Sequence, residues 1–151
     1  MPHPSSGNPI YAQIEYLANS GIDTVISLLT DSEVQELDLS HEQAALVEHG
    51  MDFRSFPIPD KRVPDDMPAF CELACDISRL IEQKHRVIVH CWAGIGRSGL
   101  LASAVLVLKG HDPKTVFDLV TSTRGESVPE TQEQRHWFVN TALPHLSTMN
   151  C

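Results

Sequence analysis

The chain has 151 residues, a length that fits one domain with a sizeable buried core. Hydrophobic residues make up 42% of the chain and charged residues 21%, proportions that are ordinary for a globular protein. The formal net charge of −9 argues against nucleic acids and anionic membrane surfaces as bulk partners, because both are bound through an excess of Lys and Arg.

Cysteine usage and hydropathy indicate the compartment. Four cysteines without a CxxC pair do not form a disulfide framework and are typical of a reducing cytosol. No basic segment followed by an apolar stretch opens the chain, so no secretory signal is visible. The longest apolar run, residues 99–108, is too short to span a bilayer. We therefore expect a cytoplasmic protein without a membrane-inserted segment.

Apolar periodicity predicts helices that alternate with strands. The Pro- and Ser-rich residues 1–8 are expected to be loose, and Thr30 with Glu33 forms a candidate capping box that opens a short helix. The remaining helices are predicted at residues 10–20, 41–49, 67–84, 97–109, 113–123 and 129–143, and strands at residues 23–29, 52–58 and 86–90. This order predicts an α/β fold: one three-layer domain spanning residues 1–151, with a mostly parallel sheet of four or five strands and helices on both faces.

The segment "VIVHCWAGIGRSGLLAS", residues 88–104, carries the strongest functional signal. It reads as the end of a buried strand, a glycine-rich turn and the first turns of a helix. Such a turn directs several backbone N–H groups at one point, where the helix dipole also favours an anion. Gly94 and Gly96 allow backbone geometry that a side chain would block, and Arg97 can bind two phosphate oxygens at once.

Cys91 lies at the carboxyl end of the predicted strand, where ligands of parallel sheets bind. The positive field of the turn favours a thiolate at this position at neutral pH. A thiolate at the centre of an anion-binding loop is suited to in-line attack on phosphorus. The turn is not a Walker loop, because no Gly-Lys-Ser/Thr ends it and Cys91 would have no role there.

The stretch "HCWAGIGRSG" resembles the signature loop of the cysteine-dependent protein tyrosine phosphatases, HCxxGxxR followed by Ser or Thr and Gly. Every fixed position matches. The segments "GIDTVISLLTDSEV", "FRSFPIPDKRVP" and "SVPETQEQRHWF" resemble those of small dual-specificity-like phosphatases, especially the group similar to cyclin-dependent kinase-associated phosphatase. The resemblance covers most of the chain and implies a phosphatase fold that needs neither metal nor cofactor.

The resemblance also implies a role for each matching residue. Cys91 would be the nucleophile that forms a phosphocysteine, Ser98 would stabilise the thiolate, and Asp60 in "PIPD" would be the general acid. His90 would brace the loop, and Gln134 would position the hydrolytic water. The phosphate oxygens would be held by the Arg97 side chain and by the loop amides of Trp92, Ala93, Gly94, Ile95, Gly96 and Arg97.

Some of these residues have a purely structural alternative. His90 can be a strand-end histidine, and Gln134 can be a solvated helix residue. Asp65 and Asp66 precede a predicted helix, so capping is their expected task. Cys71 and Cys75 lie one turn apart on an apolar helix face and are expected to pack in the core, with a redox partnership to Cys91 as the alternative.

The sequence therefore predicts a phosphomonoesterase that hydrolyses phosphotyrosine in proteins, with phosphoserine and phosphothreonine as further substrates. Two alternatives remain: a module that binds phosphate groups without turnover, and a phosphatase for phosphoinositides or other small phosphorylated molecules. Phosphatases of inositol lipids tend to carry lysines in the loop, which this loop lacks.

We expect Asp60 to reach the pocket because the strand at residues 52–58 is predicted to lie beside the strand at residues 86–90.

Overall fold

A three-stranded parallel sheet forms the centre of the computed structural model, which describes residues 1–4 and 8–151. Strands β1 (Thr24–Ser27), β2 (Asp52–Ser55) and β3 (Val87–His90) lie in the order β2-β1-β3. The mixed α/β fold with a parallel sheet is confirmed, although the described residues contain three strands instead of four or five. The predicted pairing of the second strand with the third is wrong. β1 separates them because it is the most buried strand and takes the central position.

Helices cover both faces of the sheet. They are α1 (Asn8–Asn19), α2 (Asp31–Glu36), α3 (Glu42–Glu48), α4 (Met67–Glu82), α5 (Arg97–Leu108), α6 (Val116–Arg124), α7 (Gln132–Trp137) and α8 (Leu143–Leu146). A π-helical segment, Phe138–Ala142, joins the last two helices, so the single helix predicted at residues 129–143 is divided. Pro144, in the first turn of α8, has no N–H to continue the regular hydrogen-bond ladder.

The core consists of two apolar clusters, one on each side of the sheet. Successive residues of a strand point to opposite faces, so Val25 packs into one cluster and Ile26 into the other. The larger cluster includes Phe70 of α4, Leu100 of α5 and residues of the C-terminal helices. The smaller cluster lies under α1 and α3. No helix in residues 1–4 and 8–151 is both long and apolar enough to cross a membrane.

Helix capping follows the sequence closely. Thr30 and Glu33 form the predicted capping box at the start of α2. The Asp66 side chain accepts a hydrogen bond from Ala69 N at 2.9 Å, which confirms capping as its task in α4. A second capping box, between Thr131 and Gln134, opens α7. The caps thus fix where α2, α4 and α7 begin.

The first residues lie along the edge of β3. The Met1 amino group donates to Val89 O at 2.5 Å, Met1 O accepts from Cys91 N at 3.4 Å, and His3 N donates to Trp92 O at 3.2 Å. Residues 1–4, predicted to be loose, thus have backbone partners at the edge of the sheet, and α1 begins at Asn8. Residues 5–7 lie outside the described part of the chain.

A disulfide joins Cys75 of α4 to Cys151. Cys75 is buried, as expected, but its disulfide was not predicted from the sequence. The two cysteines are 76 positions apart in sequence, and their proximity depends on the docking of the C-terminal helices against α4, which residue spacing does not reveal.

Breaking this disulfide should destabilise the protein. A link across so long a segment restricts the unfolded chain, so Cys151→Ser should lower the free energy of unfolding by about 2–4 kcal/mol. Urea denaturation with and without reductant measures the loss. The oxidised wild type should respond to reductant and the Cys151→Ser variant should not. An oxidised wild type whose midpoint is unchanged by reduction would show that the link contributes nothing to stability.

Candidate active site

The turn between β3 and α5, residues 91–96, surrounds the sulfur of Cys91. Cys91 is 2% exposed. Gly94 N donates to its Sγ at 3.3 Å, and Ser98 Oγ lies 3.4 Å from the same sulfur. A backbone amide and a hydroxyl thus both contact the candidate nucleophile.

Two glycines shape this loop for different reasons. Gly94 has a φ of +75°, a left-handed conformation that side chains disfavour. Gly96 has an ordinary negative φ, but a Cβ added to it would come within 3.0 Å of the side chains of Gln134 and Glu130. Gly94 therefore meets a conformational requirement, and Gly96 leaves room for groups that approach the loop from α7 and the turn before it.

Arg97, the first residue of α5, is 1% exposed and donates hydrogen bonds to α2 and to the loop after β2. Nη1 donates to Glu33 Oε2 and to Ile58 O, each at 2.8 Å. Nη2 donates to Glu33 Oε1 at 2.8 Å and to Asp60 Oδ1 at 2.9 Å. Burial alone would lower the pKa of Arg97, but Glu33, Cys91 and Asp60 together raise it, so the guanidinium remains charged.

Glu33 is the principal partner of Arg97. Its Oε2 also accepts from Thr30 N at 2.8 Å and from Thr30 Oγ1 at 2.9 Å. Burial alone would raise the pKa of Glu33, but the hydrogen bonds from Arg97 and Thr30 and the charge of Arg97 together hold it below its usual range. A carboxylate that the sequence identified only as a helix cap is therefore also the counter-ion of the site.

Asp60 lies at the loop, although β2 is not adjacent to β3. After β2 the chain continues along the end of β1, where Phe56 N donates to Ser27 O at 2.9 Å and Ile58 N to Leu28 O at 3.1 Å. This path brings the half-exposed Asp60 side chain to Arg97. The expected proximity is thus reached by a different route from the one predicted.

His90 and Gln134, whose roles the sequence left open, are both buried next to the loop. His90 Nε2 lies 3.0 Å from Glu42 Oε1, at an angle that does not suit a hydrogen bond. Gln134 is fully buried, so it is not a solvated helix residue. Its Nε2 donates to Arg62 O at 3.1 Å and links α7 to the loop that carries Asp60.

Ion pairs also connect the rim of the pocket. Lys61 Nζ lies 4.0 Å from Glu130 Oε1, and Arg62 Nη1 lies 3.7 Å from Glu133 Oε2. These pairs join the loop after β2 to the segment before and within α7, on the other side of the signature loop. At these two points the rim pairs opposite charges.

Other candidates lie apart from this chemistry. Asp65 is exposed, and Asp66 caps α4. Cys71 is a buried free thiol whose pKa burial raises to about 11, so it is a poor nucleophile at neutral pH. Cys75 is bonded to Cys151, so in this state it is not a redox partner of Cys91.

Among the residues described, no group of three or more His, Cys, Asp or Glu is placed to hold a metal ion.

Sequence reasoning missed three carboxylates near the loop: Glu33 as the partner of Arg97, Glu42 as the partner of His90, and Glu130 beside Gly96. The position of Glu33 could have been predicted from the sequence, because Glu33 follows a buried strand whose carboxyl end lies beside that of β3. The positions of Glu42 and Glu130 could not, because only the packing of α3 and of the turn before α7 brings them to the site.

A parallel strand, a glycine-rich turn around a buried cysteine and a helix that begins with a buried arginine together define a cysteine-based phosphatase. Residues 1–111 match the model of the Tc-R-P family, described as "Polymorphic toxin system, DSP-PTPase phosphatase". The chain belongs to this family, and it is an enzyme of the protein tyrosine and dual-specificity phosphatase type.

Individual relatives agree with this assignment. Pig cyclin-dependent kinase inhibitor 3 is 27% identical over 150 residues, covering 92% of this chain and 68% of its own length. The human protein of the same name is 26% identical over 145 residues, covering 89% of this chain and 65% of its own length. The chain thus spans about two thirds of the length of these curated relatives.

Solved structures show the same fold. Kinase associated phosphatase, crystallised with its catalytic-site cysteine changed to serine, superposes with a TM-score of 0.87 at 19% identity and covers 99% of this chain and 86% of its own. Tk-PTP in its active form has a TM-score of 0.76 at 24% identity and covers 99% of this chain and 89% of its own. At these identities the superpositions establish the fold alone.

The lowered pKa of Glu33 predicts a specific pH dependence of stability. Its ionisation stabilises the folded state fully above the unfolded pKa of about 4.3, and this contribution is lost as the pH falls through the lower folded value. The free energy of unfolding of the wild type should therefore fall more steeply between about pH 5 and pH 2 than that of Glu33→Gln. Urea denaturation at several pH values measures both slopes.

The matched control is Glu36→Gln, which removes an exposed carboxylate from the same helix. Its slope should follow the wild type. A Glu33→Gln slope equal to that of the wild type would contradict the stabilising ionisation of Glu33.

Proposed function

We propose that this chain is a single catalytic domain that hydrolyses phosphotyrosine in proteins, and phosphoserine and phosphothreonine as further substrates, through a phosphocysteine intermediate. The observation that carries the proposal is the convergence of the Cys91 sulfur, the Gly94 amide and the Arg97 guanidinium on one loop. The first of these groups supplies a nucleophile, and the other two supply donors for phosphate oxygens.

The hydrogen bonds of Arg97 indicate how phosphate binds. Glu33 accepts hydrogen bonds from the edge of the guanidinium that is formed by Nη1 and Nη2, and Ile58 O accepts the other hydrogen bond of Nη1. The remaining donors are Nε–H and the Nη2–H that faces Asp60. Nε and Nη2 form a second edge of the guanidinium. A phosphate group that binds this edge with two oxygens takes the place of the Asp60 carboxylate on Nη2.

In the first chemical step the Cys91 thiolate attacks phosphorus in line with the ester oxygen. The sulfur–phosphorus bond forms as the phosphorus–oxygen ester bond breaks, and the departing oxygen takes a proton from Asp60. Displacement from Arg97 frees the Asp60 side chain for this task. The phosphate charge beside Asp60 favours the protonated form that an acid requires.

In the second step water attacks the phosphocysteine. Asp60, now ionised, accepts a proton from the water, and the Gln134 amide beside the loop orients the water molecule. The phosphorus–sulfur bond breaks and inorganic phosphate leaves. The negative charge returns to Cys91, where Ser98 Oγ at 3.4 Å and the Gly94 amide stabilise it. Proton and phosphoryl group are thus both accounted for without a metal or cofactor.

The rim supports a protein substrate. Lys61 and Arg62 lie beside Glu130 and Glu133, which offset their positive charge and so disfavour a polyanion such as an inositol polyphosphate. A solved relative, P. aeruginosa TpbA, has been crystallised in complex with pTyr. We also propose the cytoplasm as the compartment, because a reducing compartment keeps the Cys91 thiol free for the reaction. The Cys75–Cys151 disulfide would then be open in the cell and would form on oxidation.

A substrate panel tests the proposal. Phosphotyrosine, phosphoserine and phosphothreonine peptides, inositol phosphates and an aryl phosphate are compared by kcat/KM, and the aryl phosphate and phosphotyrosine should lead. Cys91→Ser should abolish turnover, because no base is placed to ionise a serine hydroxyl, whereas the Cys71→Ser control should remain active. A tenfold preference for inositol phosphates would refute a protein substrate, and phosphate binding by an inactive wild type would indicate a recognition module.

Asp60→Asn tests the general acid. The loss in kcat/KM should be about 10²–10³-fold on phosphotyrosine, whose leaving oxygen needs a proton. It should shrink sharply on an activated aryl phosphate, whose leaving group departs as an anion. Asp65→Asn makes the same charge change at an exposed position of the same loop and should stay near wild type. A leaving-group-dependent defect in Asp65→Asn and not in Asp60→Asn would mean that the acid is wrongly assigned.

A further inference from the structure

The negative charge of the chain is concentrated in its first third. Residues 1–53 contain nine of the 20 Asp and Glu residues and none of the 11 Lys and Arg residues. Residues 54–151 contain eleven charged residues of each sign, so the entire formal net charge of −9 lies in residues 1–53. Helices α1, α2 and α3 all belong to this region and pack on the same apolar cluster. The face that they form is therefore acidic.

A groove with a volume of about 710 Å³ lies on this face, between α1 and α3. Ala44 and Ala45 of α3 line it with small side chains, and Tyr11 of α1 lines it from the other helix. Tyr11 is 49% exposed, and Val47, which also lines the groove, is 58% exposed. Exposed apolar side chains that line one groove form a surface to which another chain can bind.

Carboxylates border this apolar lining. Glu48 lines the groove, and Glu15 lies one helical turn after Tyr11 on the same side of α1. Both carboxylates are exposed, and none of the ion pairs within residues 1–4 and 8–151 includes either of them. Their charges are therefore available to a cation from outside the chain.

The groove begins at the edge of the sheet that carries the signature loop. The parallel strands β1 and β2 are joined through α2 and α3, so α3 runs back from the carboxyl ends of the strands toward their amino ends. Its first turn lies near the loop, where Glu42 is 3.0 Å from His90. Ser40 lines the groove at this end. A polypeptide that lies in the groove can therefore continue toward the pocket around Cys91.

We propose that the groove between α1 and α3 is a docking site for a basic segment of the protein substrate, separate from the phosphorylated residue. Apolar side chains of this segment contact Tyr11 and Val47. Its Lys or Arg side chains pair with Glu15 and Glu48. This inference rests on the proposed function, because it requires a phosphoprotein whose phosphorylated residue lies in the pocket.

The charge of the face selects this occupant. Nucleic acids and anionic membranes are repelled by a surface that carries acidic residues without Lys or Arg. A second copy of the chain that docked through the same face would place like charges against each other, which opposes association. A basic polypeptide is attracted instead, and the attraction also accelerates its encounter with the enzyme.

A binding experiment tests the groove directly. The probe is a fluorescent, unphosphorylated peptide composed of Lys and Leu, and its dissociation constant is measured by fluorescence anisotropy. Glu15→Lys and Glu48→Lys should each weaken binding by about fivefold, because each replaces an attraction by a repulsion. Val47→Ser should weaken it by about threefold through the loss of apolar contact. Wild-type affinity in all three variants would refute the proposal.

Two matched controls separate the groove from general effects. Glu72→Lys makes the same change in net charge at an exposed position of α4, which packs on the other apolar cluster. Leu119→Ser removes an exposed apolar side chain from α6. Both controls should bind the peptide like the wild type. An equal loss in Glu72→Lys and Glu48→Lys would assign binding to the overall charge of the protein and overturn a docking groove.

A kinetic experiment connects docking to turnover. Phosphotyrosine peptides are extended by the same Lys and Leu segment through Gly-Ser spacers of several lengths, so that one of them can reach both sites. Docking stabilises substrate and transition state alike, so the best extension should lower KM by about tenfold and leave kcat unchanged. Glu48→Lys should remove this gain and retain wild-type kcat/KM for a small aryl phosphate. No gain at any spacer length would refute docking of the substrate.

The remaining outcomes are also decisive. Self-association of the wild type in sedimentation that Val47→Ser abolishes would assign the groove to a second copy of the chain and refute the proposal. An enzyme that hydrolyses no phosphomonoester would end the proposed function. The anisotropy data do not depend on turnover and would still decide whether the groove binds a basic segment.

Discussion

The buried ion pair between Arg97 and Glu33 is the contact on which the rest of the site depends. Arg97 belongs to the helix that follows β3, and Glu33 belongs to the helix that follows β1. Their pairing fastens together the carboxyl ends of two adjacent parallel strands. Ile58 O and Asp60 bind the same guanidinium, so the segment that follows β2 is fastened to it as well. One cation thereby brings together the chain segments that follow all three strands.

Two helix caps in the described part of the chain place polar side chains beside the signature loop. In each capping box the third helical residue extends back to the cap: Glu33 to Thr30 and Gln134 to Thr131. Glu33 then also binds Arg97, and Gln134 also binds the backbone of the loop that carries Asp60. At such a position, local hydrogen bonds fix both the start of the helix and the rotamer of the polar side chain. The site therefore obtains ordered polar groups from interactions that the helices need in any case.

Local features of the site could be predicted from the sequence, and long-range ones could not. The strand, glycine turn and helix around Cys91 follow from contiguous residues, as does the Thr30–Glu33 box. Asp60 was expected at the pocket for the wrong reason, since residue patterns do not give the order of parallel strands and β1 proved to be central. The Glu42–His90 contact and the Cys75–Cys151 link escaped prediction because each joins elements that meet only after helices pack.

The Cys75–Cys151 link makes residues 75–151 a closed covalent loop. Cys91, Arg97 and Gln134 lie within that loop, whereas Glu33 and Asp60 lie outside it. A protease that cuts one peptide bond inside the loop yields two fragments that stay attached through sulfur. Such a nicked molecule keeps its mass on a non-reducing gel and separates into two bands only after reduction. A single cleavage in the half of the chain that carries Cys91 therefore leaves both fragments joined, whereas one in the half that carries Asp60 does not.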